Sequence, residues 1–484
     1  HFGTEKGQAE APDGLTLGLA IDDKPLKDIL ANLYYPESPY EFSVLPADIL
    51  GQVYEQFLGK VIRLTTGHHA VVEDKPEVKK AGGVFYTPTY IVEYIVRHTL
   101  GRLLEGKHPG DTGVGRGAPV RVLDMACGSG SFLIVAYQTL LDWYLNEYLQ
   151  QGAEQWAKGR APRLAQSSAG EWRLTTAERK RILLEHIYGV DIDPQAVEVT
   201  KLSLLLKVLE GENEESVGQQ LSLFHERALP NLGQNIKCGN SLIGSDFYAG
   251  GQASFLNDEE QRRINAFDWE KEFPEVFGEQ GKGVRGQGFD VVVGNPPYIR
   301  IQALKEWAPR EVEFYKQRYL SASKGNYDIY VVFVEKGLSL LNSNGRMGYI
   351  LPHKFFNAQY GEALRGILAT GKHLAKAVHF GDQQVFESAT TYTCLMFLDK
   401  GGNEEFEFEK VGDLQGWRDN PPGKPSEVSI VGTFASAQAT ASEWNFSVGR
   451  GAGLFDRLSK MPVKLGDVAS IFVGLQTSAD KIYI

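Results

Sequence analysis

Cysteine is nearly absent from this chain: 484 residues hold three, Cys127, Cys238 and Cys394, far apart in sequence. So few and so scattered, they exclude a disulfide framework and a thiolate zinc site. No run approaches the roughly 18 uninterrupted apolar residues of a membrane-spanning helix, and the opening residues carry no signal-peptide pattern. Positive charge is not in excess either, with 50 Lys and Arg against 61 Asp and Glu and a formal charge of −11. That excludes a protein that coats nucleic acid through bulk charge, but not one whose basic residues line a single cleft. What is present is ordinary: 42% hydrophobic and 23% charged residues, enough for a substantial core. The length corresponds to about three domains. The sequence opens on His1 and closes on Lys481-Ile-Tyr-Ile484, inside a strand-like run, so a fragment of a longer cytoplasmic protein is expected.

Residues 1–80 read as a helical N-terminal region, with Ile49, Leu50, Val53, Tyr54, Phe57 and Leu58 forming one apolar stripe at helical spacing. His68 to Val78 reads as an exposed connection, and Tyr90 to Leu104 as an amphipathic helix entered through Pro88. Residues 81–400 alternate strand and helix patterns. Val120 to Met125 is a strand, Phe132 to Leu149 a helix, and 150–172 a polar insertion. Thr175-Thr-Ala-Glu178 is a capping-box sequence, followed by the strand Ile187 to Val190 and a helix opened by Asp193-Pro194. Gly288 to Val293 is a buried strand, Tyr327 to Leu341 a helix, Asn342 to Gly345 a turn, and Met347 to Leu351 a strand. Such alternation specifies an α/β fold with a mostly parallel sheet and helices on both faces. Beyond 400 the acidic Glu404 to Glu409, Asn420-Pro-Pro-Gly-Lys-Pro425 and the Ser/Ala/Thr-rich 434–442 read as a boundary and linker, with a β-rich segment opening at Leu465.

Three motifs carry chemistry. In Val122-Leu-Asp-Met-Ala-Cys-Gly-Ser-Gly-Ser-Phe-Leu133 a strand ends in an acid and a glycine turn that lets a ligand approach the backbone. The third glycine of the dinucleotide fingerprint and the Lys-Ser/Thr of a Walker loop are both missing. With Asp124 upstream, the turn through Ala126, Cys127, Gly128 and Gly130 suits S-adenosylmethionine, which carries no phosphate. Cys127 reads as a small packing residue rather than a nucleophile. In Gly189-Val-Asp-Ile-Asp-Pro194, Asp191, with Ile192 beside it, is expected to accept both ribose hydroxyls and Asp193 to cap the next helix. The 67 residues between Asp124 and Asp191 exceed the usual spacing of about 20, and the polar insertion accounts for much of the excess.

The third motif, Phe289-Asp-Val-Val-Val-Gly-Asn-Pro-Pro-Tyr298, is the most specific, since Asn-Pro-Pro-Tyr has roughly a one-in-a-thousand chance of occurring in such a length. Two prolines fix consecutive φ angles and remove two N–H donors, presenting carbonyls at the end of a buried strand. Asn295 adds a side-chain oxygen and Tyr298 an aromatic face. Together they suit a planar amino group on a ring that stacks.

These residues, in this order, resemble the gamma-class adenine-N6 DNA methyltransferases of restriction–modification systems, in particular the methylase portion of type IIG enzymes. The resemblance implies a Rossmann-like methyltransferase domain over 81–400 and a truncated start of a target-recognition domain within 401–484. It implies S-adenosyl-L-methionine as cofactor, double-stranded DNA as partner, and site-specific N6 methylation of a flipped adenine. Gly83-Val-Phe-Tyr-Thr-Pro88 is similar to the family's N-terminal cofactor motif, which brings in Thr87 and Pro88. Gly239-Asn-Ser-Leu-Ile-Gly244 brings in Asn240 as a contact to the cofactor's adenine, and Trp269 to Phe277 is a further family-like stretch. The resemblance makes Asn295, Pro296, Pro297 and Tyr298 the catalytic segment. Phe386 would stack with Tyr298 on the extruded base, or simply pack the core. Gly474-Leu-Gln-Thr477 resembles the opening of the recognition domain.

No nuclease motif is recognisable. Glu77-Val-Lys79 and Glu407-Phe-Glu-Lys410 read as solvated charge, so any restriction activity is expected to lie in a domain or subunit outside these residues. No metal is implied. Asn295 and the Pro296 carbonyl are expected to accept the two hydrogens of the adenine amino group. The rival readings are a methylase-like module that binds DNA and cofactor to license a nuclease, and a methyltransferase acting on protein or RNA.

Overall fold

In the computed structural model, the apolar runs at Val122, Val291 and Ile350 become neighbouring strands of one nine-stranded sheet. The structure describes residues 22–32, 60–64, 70–74, 87–113, 117–167, 170–210, 230–248, 258–278, 288–386, 391–419, 428–449, 452–463 and 465–470. The chain divides into two units, His1–Ile49 and Leu50–Ile484. In the first, the described element is helix α1 (Asp23–Ala31).

The second unit opens with a hairpin of β1 (Lys60–Leu64) and β2 (Ala70–Asp74), paired antiparallel from Lys60↔Asp74 to Leu64↔Ala70. This corrects the helical reading of 1–80 and the loop reading of 68–78: Val-Ile and Val-Val pairs favour strand over helix. The stripe at 49–58 lies outside the described residues. Helix α2 (Thr89–Val96) follows Pro88, which stands at the N-cap, and continues as a π-helical turn, Arg97–Gly101.

Across the sheet the strands lie in the order Ser429–Ala435, Glu405–Val411, Leu374–His379, Thr393–Asp399, Leu341–Pro352, Phe289–Gly294, Val122–Asp124, Ile187–Asp191 and Ile236–Cys238. Its parallel part is built by β3 (Val122–Asp124), α3 (Ser131–Gln150), α4 (Thr176–His186), β6 (Ile187–Asp191), α5 (Pro194–Leu209) and β7 (Ile236–Cys238). Between α3 and α4 the polar insertion folds into a small hairpin of β4 (Leu164–Gln166) and β5 (Trp172–Leu174). Thr175 caps α4 by accepting from the Glu178 N–H, while the Glu178 carboxylate pairs with Arg163 and Arg181 instead of closing a capping box. Asp193 caps α5 through the Gln195 N–H, with Pro194 in the first turn.

The chain then reaches α6 (Asp258–Ile264) and crosses to the other side of β3 as β8 (Phe289–Gly294). There follow α7 (Ile301–Trp307), α8 (Pro309–Arg318), α9 (Tyr330–Leu340) and β9 (Leu341–Pro352). Val122, Leu123, Val291, Val292, Val293, Ile350 and Leu351 are all inaccessible to solvent, as in strands covered on both faces. The turn expected at 342–345 is a correction of a different kind. Asn342 does close a local turn by accepting from the Asn344 N–H, but β9 runs through it, and the register against β8 slips between Phe289 and Val291.

β10 (Leu374–His379) and β11 (Thr393–Asp399) extend the sheet antiparallel to each other. The boundary expected at 400 is not where the sheet ends. β12 (Glu405–Val411) pairs parallel with β10, and β13 (Ser429–Ala435) pairs antiparallel with β12. The segment read as acidic linker is an alternating strand, with Phe406 and Phe408 buried against Phe434 and Phe446. Nor is its charge all solvated: Glu409 is buried and accepts from Trp417 Nε1, Ser429 Oγ and Tyr94 Oη, with Lys376 Nζ at 3.0 Å. Trp444 closes this part, its N–H donating to the Phe356 carbonyl. Leu465–Val468 is one turn of helix rather than the opening of a β-rich segment. The recognition motif at 474–477 and the final strand lie outside the described residues.

Candidate active site

Four parallel strands, β8, β3, β6 and β7, lie side by side and deliver their C-terminal ends to one edge. Because the chain builds outward from β3 to β6 and β7 and then returns to β8, a crevice opens above β3, where α/β sheets hold their ligands. Here it is a cavity of about 340 Å³, the size of a small-molecule site. Thr87, Asp124, Gly128, Asp191, Asn240 and Asn295 all line it, as do Ala126, Cys127, Ile192 and Pro297. Sequence positions from 87 to 297 therefore meet in one wall.

The turn after β3 is held from several directions. Asp124 Oδ1 accepts from the Ala126 N–H at 3.0 Å, and Asp191 Oδ2 accepts from the Gly128 N–H at 2.8 Å. Thr200 Oγ1 donates to the Gly128 carbonyl and Ser241 Oγ to that of Met125. A backbone fixed in this way presents its polar groups without reorganising when a ligand arrives. Asp191 Oδ1 also accepts from the Asp193 N–H, yet burial outweighs the backbone hydrogen bonds from Gly128, Ile192 and Asp193 and pushes the carboxyl up to about 6. A carboxylate has about four acceptor sites, so capacity remains for a ligand hydroxyl.

Across the crevice, Asn295 follows β8 directly. Its Nδ2 donates to Thr87 Oγ1 at 3.1 Å, which fixes the plane of the amide and the side on which its oxygen lies. The position expected to hold cofactor thus touches the expected catalytic residue. Gly294, just before it, has φ +153, and a Cβ there would fall 2.7 Å from Asp124 Oδ1. Only glycine lets the third motif come this close to the first.

Pro88, Gly130, Pro296, Tyr298 and Phe386 stand outside the lining. Gly130 starts α3 in the left-handed conformation, φ +86, with Thr200 Cγ2 where a Cβ would need to sit. Tyr298 is buried and its hydroxyl donates to the Ile350 carbonyl at 3.2 Å. Its ring meets Phe386 edge-on, centroids 6.5 Å apart and planes at 68°. A base held flat between two rings needs them parallel, so the expected sandwich requires one ring to turn. Cys127 is buried, its thiol pushed well up by that burial, as suits a packing residue.

One wall was not foreseen. Arg263, Trp307, Glu311, Tyr315, Ile329 and Phe333 also line the cavity, from α6 and the α7–α9 segment. They belong to no motif, and only the amphipathic spacing of Val312, Tyr315 and Tyr319 marks α8 as an inward-facing helix. Among the described residues no cluster of three metal-ligating side chains occurs, and no helix is long and apolar enough to cross a membrane.

Comparison with known proteins adds an independent line. Residues 46–227 match the N-6 DNA Methylase family, and residues 185–386 match the Eco57I restriction-modification methylase family. The type II restriction enzyme and methyltransferase RM.Eco57I of Escherichia coli is 33% identical over 464 residues, covering 94% of this chain and 41% of its own length. The type II methyltransferase M.PaeR7I of Pseudomonas aeruginosa is 28% identical over 212 residues, 40% of this chain and 35% of the relative. The cryo-EM structure of a DrdV–DNA complex superposes with a TM-score of 0.50 at 15% identity, over 88% of this chain and 36% of that one, a likeness of fold. The chain spans about two fifths of the length of RM.Eco57I.

Proposed function

Because this chain belongs to the N6-adenine DNA methylases of restriction–modification systems, we propose that it transfers a methyl group from S-adenosyl-L-methionine to the N6 amino group of adenine in a specific sequence of double-stranded DNA. The observation that carries this reading is the convergence of Asn295 and Pro297 with Asp124 and Asp191 on one cavity. The cavity suits the cofactor. It has the volume of a small-molecule site, an acid for ribose hydroxyls in Asp191, a pinned glycine turn and a buried polar wall at Asn240. When bound, S-adenosylmethionine supplies an electrophilic methyl on sulfur.

The chain's own residues have the harder task. Adenine's amino nitrogen is a poor nucleophile because its lone pair is delocalised into the ring. Asn295 Oδ1 and the Pro296 carbonyl accept the two amino hydrogens, favouring a pyramidal nitrogen with its lone pair exposed. Thr87 holds the Asn295 amide in the orientation this needs. The remainder of the rate is positioning and electrostatic complementarity. Since the amino group is unreachable inside a duplex, the base is extruded at a cost of a few kcal/mol. Tyr298 offers it a face once the Phe386 ring swings away. DNA cleavage, named in RM.Eco57I, is assigned to sequence outside these 484 residues, so DNA and a nuclease segment are the partners we propose.

Incubation with methyl-labelled cofactor and unmethylated DNA, RNA or protein, followed by mapping of the product, tests the reading. Label in DNA as N6-methyladenine supports it. Label only in RNA or protein, or binding of cofactor and DNA without transfer, overturns it in favour of the rival classes.

A further inference from the structure

The wall contributed by α8 holds an acceptor that no described residue satisfies. Glu311 is 4% exposed and lines the cavity. One of its oxygens, Oε1, is taken by Arg263 Nη2 at 2.8 Å. The other, Oε2, is buried and has no hydrogen-bond partner among the described residues. Leaving such an acceptor unmet is costly, the more so for a charged group, so native structures rarely tolerate one without a purpose. The ion pair with Arg263 accounts for Oε1 and leaves Oε2 unexplained.

The surroundings show where that oxygen works. Arg263 is itself tied down, donating to the Trp307 carbonyl with its guanidinium over the Trp307 ring. Tyr315, one turn beyond Glu311 on α8, hydrogen-bonds the Asn240 side chain, and Tyr319 donates to the Leu242 carbonyl at 2.7 Å. The helix is thus latched to the loop after β7, whose Asn240 lies past Asp191 along the sheet edge. With Asp191 at the sugar, the Asn240–Glu311 end faces the nucleobase. Trp307, Leu304 and Ile329 give it apolar surroundings suited to a ring.

We propose that Glu311 selects the cofactor's nucleobase, Oε2 accepting a hydrogen from the 6-amino group of adenine while Arg263 holds Oε1. The proposal rests on the cofactor reading above. It makes the site an amino-group detector: a base with a carbonyl at position 6 would set two acceptors face to face.

The Glu311→Gln variant tests this without removing volume. Arg263 can only donate, so the amide oxygen of the variant must face it, turning the amide NH2 into the cavity. Calorimetric titration of wild type and E311Q with S-adenosylhomocysteine and S-inosylhomocysteine reads the outcome. Wild type is expected to favour the adenosyl compound by about tenfold or more, and E311Q to lose or invert that preference. An unchanged ratio in E311Q overturns the proposal. The wild-type protein supplies a second arm that does not depend on a variant folding. The analogue with hydrogen at position 6 loses the donor without adding an acceptor, so it must bind between the other two. An inosyl compound that binds more tightly than this analogue overturns the proposal. Binding of none of the three overturns the cofactor reading as well, whereas tight adenosyl binding with unchanged discrimination overturns only the role of Glu311.

Discussion

Thr87→Val separates two roles that meet in one side chain. Thr87 is 3% exposed and accepts the Asn295 Nδ2 hydrogen bond at 3.1 Å. Valine keeps the shape of threonine and removes the acceptor. A neutral hydrogen bond of this kind contributes about 0.5–1.5 kcal/mol, which is the preference holding the amide in one orientation. Without it the flipped amide becomes comparably populated, turning its NH2 toward the amino group it should accept from. With about half the molecules left in the productive orientation, the methyl-transfer step is expected to slow by about twofold, the equivalent of about 0.4 kcal/mol. Cofactor affinity should stay within about twofold, and Thr87→Ser should restore the rate, because a hydroxyl is all that is required. Single-turnover transfer of labelled methyl to unmethylated DNA gives the rate, and titration with S-adenosylhomocysteine gives the affinity. An unchanged rate in T87V would refute the reasoning. So would a parallel loss of affinity that serine does not restore, which would make Thr87 a cofactor contact alone.

Three further outcomes follow from the geometry. Gly294→Ala places a Cβ 2.7 Å from Asp124 Oδ1 at a φ of +153, so it should destabilise the protein by about 1–3 kcal/mol and weaken cofactor binding; an unshifted thermal midpoint would contradict this. The Asp191 carboxyl, raised from 3.8 to about 6, takes up its proton in the folded state first, so its contribution to stability falls as pH rises between those values. Ligand affinity has the opposite sign: S-adenosylhomocysteine should bind more weakly as pH drops through about 6, and Asp191→Asn should flatten that profile. A chain ending at residue 400 loses β12, β13 and the buried Phe406, Phe408 and Trp444. At about 1.5–3 kcal/mol per large apolar side chain, that loss consumes much of a typical stability of 5–15 kcal/mol. Expression should therefore fail for a chain ending at 400 and succeed for one ending at 449; a soluble, cooperatively unfolding chain ending at 400 would overturn this view of the sheet.

What the sequence revealed and what it concealed divide along physical lines. Strand–turn–helix units with an acid, a glycine or a proline pair at the turn are local, so Asp124, Asp191 and Asn295 could be placed on their elements before any tertiary structure was known. The cavity wall of Arg263, Trp307, Glu311 and Tyr315 is tertiary, and no spacing links α6 to α8. Glu405 to Val411 was misread because its charges outweighed its period-two alternation; Glu409 is buried only because Lys376, Trp417 and Ser429 arrive from other elements. The turn at 342–345 was read correctly as local chemistry, but sheet pairing carries β9 through it. The Tyr298 and Phe386 rings do meet, but edge-on rather than parallel as a stacked base requires.

On the proposed mechanism, Asn295, at the mouth of β8, makes an adenine amino group nucleophilic. The most direct measurement compares wild type with Asn295→Ala for transfer of labelled methyl to duplex DNA, with the product base identified and S-adenosylhomocysteine affinity measured in parallel. Wild type should form N6-methyladenine, while N295A should bind the ligand with near-wild-type affinity and form none. N6-methyladenine produced by N295A at the wild-type rate, or label appearing on any other base, would contradict the account.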